Sequence, residues 1–181
     1  MLSPGDVAPA FDAQPLFGLQ VQIPPPAGKR PVVLCFVRDF ASPFGRAAMA
    51  TIQARYSDFD RQGIALVVLT RTELTRARDF VPRMHVLAPV IVDVEGDIFR
   101  SYGIGADRML KGTLKSLLRP DGVHALRQVL THGQGARHDG ATLLPAAFVV
   151  GADGRIALAR YETSITASPD LDALLECALS C

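Results

Sequence analysis

Three cysteines and one serine are the side chains here best suited to covalent chemistry, and their spacing limits that chemistry. Cys35 lies inside the apolar run "VVLCFV", where a thiol behaves as a small buried hydrophobe. Cys177 and Cys181, in "ECALSC", stand four apart and would share one helix face, an awkward separation for a disulfide unless the end frays. Two thiols without matched histidines make a poor zinc site. His124, His132 and His138 are 8 and 6 apart, which fits no common metal spacing. Neither a metal nor a cofactor is expected. Ser42 opens "SPFGRAAMATI" and has two readings: an oxygen nucleophile that lacks a nearby base, or the cap of a following helix.

Arg38 and Arg46 flank the same short loop, Ala41-Ser42-Pro43-Phe44-Gly45-Arg46. With the free N–H groups of a helix start they could form an anion-sized pocket; the plainer reading pairs Arg46 with an acid such as Asp39. A second basic set runs through 100 to 138: Arg100, Arg108, Lys111, Lys115, Arg119, Arg127 and Arg137 against Asp107 and Asp121. It reads as a surface for an anionic ligand or acidic partner, or as a solvated helical face with Leu110, Leu114, Leu117 and Leu118 turned inward.

The elements that must position these groups follow from hydrophobic periodicity. "LQVQI" (19–23) alternates as a short strand, and "VVLCFV" (32–37) is continuously apolar, as a strand covered on both faces should be. Apolar residues at 44, 48, 49, 52, 56 and 59 keep a helical period that starts behind Ser42-Pro43 and stops at Gly63. Strands are expected at 64–70 and 88–94. Helices are expected at 73–84, interrupted near Pro82, and at 96–104. "PAAFVVGADGRIALARYE" (145–162) reads as a hairpin, and "PDLDALLECALS" as a last helix. Strands alternating with helices imply an α/β fold, a mixed sheet with helices on both faces. One domain is expected over 1–181, with a basic helical insert at about 105–140.

Bulk properties narrow the function classes. A formal charge of +1 gives no footprint for nucleic acid or an anionic membrane. No run approaches the ~18 apolar residues of a membrane span, and the first residues do not read as a secretory signal. An odd cysteine count argues against a disulfide framework, so a reducing cytoplasm is the expected location.

Four separated blocks resemble the AhpC/TSA (alkyl hydroperoxide reductase/thiol-specific antioxidant) family of peroxiredoxins, within the thioredoxin superfamily. They are "PGDVAPAF" (4–11), "VVLCFVRDFASPFGR" (32–46), "VDVEGDIFRSYGI" (92–104) and "FVVGADGRI" (148–156). The loop and the segment 112–135 also resemble peroxiredoxin-like proteins whose loop reads Arg-x-Phe-Gly-Cys-Pro-Phe-Cys-Arg. The resemblance implies a thioredoxin-like fold and a reactive thiol at the start of the long helix. It also implies a possible homodimer and a cis-proline at Pro145 facing the loop. Laid on this chain, however, the peroxidatic cysteine falls on Gly45 and the preceding cysteine or threonine on Ser42.

The resemblance therefore implies a degenerate member. The family's reaction is attack by a thiolate activated at a helix N-terminus. Gly45 has no side chain, and serine cannot cycle through sulfenic acid. The expectation is a module that binds a small anionic ligand or a protein partner around Ser42, Phe44, Gly45 and Pro145, without thiol peroxidase activity at this loop. The alternative is a thiol-dependent oxidoreductase working through Cys177 and Cys181, which would have to reach the loop from another subunit.

Overall fold

The computed structural model describes residues 1–26, 30–105, 143–164 and 166–181. The expected basic insert, with its histidines and lysines, lies outside them except at its margin.

Seven strands and four helices are described. β1 (Phe11–Ala13) and β2 (Val21–Ile23) form a small antiparallel hairpin. β3 (Val32–Val37), β4 (Ala65–Thr70), β5 (Val90–Val92), β6 (Ala146–Val150) and β7 (Ile156–Tyr161) build one five-stranded sheet in the order β5-β4-β3-β6-β7. β3 runs parallel to β4 and antiparallel to β6, so the sheet is mixed, as expected. The helices are α1 (Pro43–Arg61), α2 (Leu74–Arg83), α3 (Asp97–Ser101) and α4 (Leu171–Leu179).

β3 sits at the centre with all six residues buried, which explains its unbroken apolar sequence. Its side chains divide by parity. Val33, Cys35 and Val37 join a core with Met49, Ile52 and Phe59 of α1, Ala77 and Val81 of α2, and Leu171 and Leu174 of α4. Val32, Leu34 and Phe36 face a second core with Phe99 of α3, Tyr102 and Phe148. Helices therefore cover both faces, three on one, and α3 with the β1–β2 hairpin on the other.

Local chemistry sets the ends of α1. It begins at Pro43 behind the Ser42 cap and ends in a Schellman turn, where Gly63 takes φ +66° and Ile64 N–H reaches Phe59 O at 3.0 Å. Arg55 of α1 meets Asp172 of α4 at 2.7 Å, but Asp172 is largely exposed, so solvent screens the pair and it adds little to stability. β1 has no counterpart among the expected elements. α2 is not interrupted at Pro82: that residue lies within its last turn, and the helix runs one residue further before His85 turns left-handed at φ +50°.

Candidate functional site

The loop from β3 to α1 is held from several sides. Ser42 has extended backbone (φ −74°, ψ 135°), and its Oγ accepts the Phe44 N–H at 3.2 Å. The helix-cap reading of Ser42 thus describes its geometry, with Pro43 in the first turn. Asp39 spends its side chain on the same turn: Oδ1 accepts the Ala41 N–H at 2.7 Å, and its carbonyl accepts the Ser42 N–H at 3.0 Å.

Arg46 pairs with neither Asp39 nor an open pocket. Its Nη1 donates to the carbonyls of Phe40 at 3.3 Å and Ala41 at 3.2 Å, because loop carbonyls, not carboxylates, face that side of α1. Arg38 forms no ion pair among the described residues. Burial lowers its pKa, while the charge of Asp39 acts in the opposite sense.

Two buried residues not anticipated as part of the site anchor this loop, Thr70 from the end of β4 and Thr72 just beyond it. Thr70 Oγ1 donates to Arg38 O at 2.9 Å, and Thr72 Oγ1 accepts the Phe40 N–H at 2.8 Å. The two hydroxyls are 2.8 Å apart, and Thr72 N–H donates to Thr70 Oγ1 at 3.2 Å. Since the Thr70 proton is used on Arg38 O, the hydroxyl of Thr72 supplies the proton between the pair, and both groups are satisfied. The ring of Phe40 stacks on Phe80 of α2 with centroids 4.6 Å apart.

At Gly45 the consequence is steric. A Cβ there would stand 2.5 Å from Asp39 O and 3.4 Å from Arg38 O. No side chain fits while the loop keeps this course. Those carbonyls would also repel a negative charge.

Pro145 shares a cleft with Ala48 of α1, and its peptide bond is trans, not cis as expected. The cis bond among the described residues is Ile23–Pro24. Pro145 leads directly into β6, and its carbonyl accepts the Glu162 N–H at 3.0 Å, a strand-like pairing with the end of β7. It lines a small cleft with Cys35, Val37, Ala48, Glu162 and Pro169, about 250 Å³ counting the space open to solvent. Burial raises the pKa of the Glu162 carboxyl; Arg160 opposes this and Asp170 adds to it. Burial alone pushes the Cys35 thiol up to about 12, which makes it a packing group.

The C-terminal thiols are remote. Cys181 Sγ donates to Cys177 O at 3.0 Å. Its pKa is pushed up to about 11, first by burial, then by Cys177 and by Asp153 of the β6–β7 turn. That turn lies beside the start of β3, since Val150 pairs with Val32, whereas Gly45 follows its end. A six-residue strand, roughly 17 Å, therefore separates the two places. Within one chain the structure does not bring Cys177 or Cys181 to the loop.

The AhpC/TSA family model matches residues 4–159, most of the chain. The protein belongs to the AhpC/TSA family. None of the curated proteins matches its sequence. Among solved structures, this AhpC/TSA chain is similar to the peroxidoxin BcpB of Mycobacterium tuberculosis, at TM-score 0.69 and 14% identity, over 99% of this chain and 98% of that one. A mutant of peroxiredoxin 6 from Arenicola marina gives 0.68 and 17%, over 99% and 73%. A putative thiol:disulfide interchange protein DsbE from Chlorobium tepidum gives 0.62 and 17%, over 99% and 98%. At such identities these likenesses establish the thioredoxin-like fold. Among the described residues no helix is long and apolar enough to cross a membrane.

Proposed function

We propose that this AhpC/TSA-family protein has no thiol peroxidase activity at its β3–α1 loop and serves as a binding module. The carrying observation is at Gly45, where the family's reactive thiol would stand: the position lacks sulfur, and two backbone carbonyls close over it. Peroxide reduction needs a thiolate stabilised by a helix start. Here Ser42 caps that start, and among the described residues no acid–base side chain hydrogen-bonds to its hydroxyl.

Ligand or partner contact is assigned to the loop residues Ser42 and Phe44 and to the cleft that Pro145 lines with Glu162. The cleft is mostly apolar, with one carboxyl, and its closed part has room for about one water-sized group, so a ligand or partner side chain would rest over its mouth. Cytoplasmic residence and a homodimer belong to the same proposal.

A coupled hydroperoxide assay on the purified chain tests it, repeated with Cys177→Ser and Cys181→Ser. The expected result is no turnover above buffer in any variant. Turnover that disappears on removing either thiol would establish the oxidoreductase alternative, acting between subunits. Turnover that survives both replacements would overturn the proposal in another way, pointing to Cys35.

A further inference from the structure

We propose that Thr70 and Thr72 form a lock that holds the β3–α1 loop shut over position 45. The lock would exclude any side chain there, independently of which residue evolution has placed at it.

The hydrogen bonds are directional. Thr70 fixes the carbonyl of Arg38, and Thr72 fixes the amide of Phe40, two residues further on. Between these two pins lies the peptide of Asp39, whose carbonyl oxygen is the atom that would collide with a Cβ on Gly45. Thr70 and Thr72 are both fully buried, so these bonds do not compete with water. The Phe40–Phe80 stack holds the loop from α2, and Arg46 ties the carbonyls of Phe40 and Ala41 back to α1. Asp39 cannot turn its carbonyl away without breaking one of these contacts.

The idea rests on the proposed function only for its catalytic meaning; the lock itself is a claim about stability and can fail separately. In most exposed helices Gly→Ala is stabilising. Here Gly45→Ala should instead lower Tm by roughly 3–10 °C, the scale of overpacking in a chain of this size. In a Thr72→Val background the Phe40 amide is released and the loop can shift. The further fall caused by Gly45→Ala should then be at most about half as large. Thr72→Ser keeps the hydroxyl and should behave like the parent.

A rise in Tm for Gly45→Ala would overturn the lock, as would equal falls in both backgrounds. Should Thr72→Val fail to fold, amide hydrogen exchange on the unmodified chain decides. Phe40 N–H protected to the level of the β3 amides supports the lock; exchange at the rate of an exposed loop refutes it.

Discussion

The carbonyl oxygen of Asp39 occupies the space beside Gly45 that any side chain at that position would need, 2.5 Å from where its Cβ would stand. Placing a thiol there is therefore not a one-residue matter. Gly45→Cys should fold with a Tm several degrees below the parent and gain no hydroperoxide turnover. Thermal melts and the coupled assay on one preparation check both halves; a stable, active Cys variant would refute the closed-loop geometry.

Ser42 is expected to matter for stability and not for chemistry. Its Oγ caps the Phe44 amide, so Ser42→Ala should cost about 1 kcal/mol in urea unfolding. Ser42→Asp should recover most of that, since a carboxylate caps equally well and favours the helix start. A Ser42→Ala variant as stable as the parent would refute the cap.

The three thiols should separate by environment. A disulfide reagent at pH 8 should leave Cys35 untouched until guanidinium is added, because the residue is fully packed and its thiol is pushed up to about 12. Cys181 is exposed yet held up at about 11, so its labelling rate should climb steadily between pH 8 and 10. Rapid release of three equivalents from the native chain would contradict the packing of β3.

Glu162 supplies the pH prediction. Burial raises its pKa in the folded chain, so the folded state binds the proton more tightly than the unfolded one. That contribution is fully present below the unfolded carboxylate value and is lost as pH rises through the folded one. Glu162→Gln should hence raise Tm slightly at pH 7 and leave it unchanged near pH 3. A stabilisation that is larger in acid would reverse the assigned sign.

Much of the scaffold is legible in one dimension because its signals are local. β3 announces itself by six consecutive apolar residues, and α1 by Ser42-Pro43 at one end and Gly63 at the other. β1 was not legible: "FDA" gains its strand character only by pairing with β2, Phe11 standing opposite Ile23. The site was less readable still. Thr70 and Thr72 contact the loop across 32 positions of sequence, and nothing in "VLTRT" marks them as its anchors. The partner of Arg46 was expected to be a carboxylate because charge suggests charge, whereas the fold offers carbonyls. Pro145 is expected to be cis from its place in the family's pattern, whereas the structure has it trans at the entry to β6.

The aromatic cluster beneath α3 has a practical consequence. The chain contains three tyrosines and no tryptophan. Tyr102 and Tyr161 both lie in that cluster, their rings 5.1 and 5.2 Å from Phe148, and the Tyr161 hydroxyl donates to the Tyr102 carbonyl at 2.8 Å. Tyr56 belongs to the opposite core. Intrinsic ultraviolet emission is thus weighted toward one side of the sheet, and it offers a label-free way to watch that side loosen while α1 and its loop stay in place.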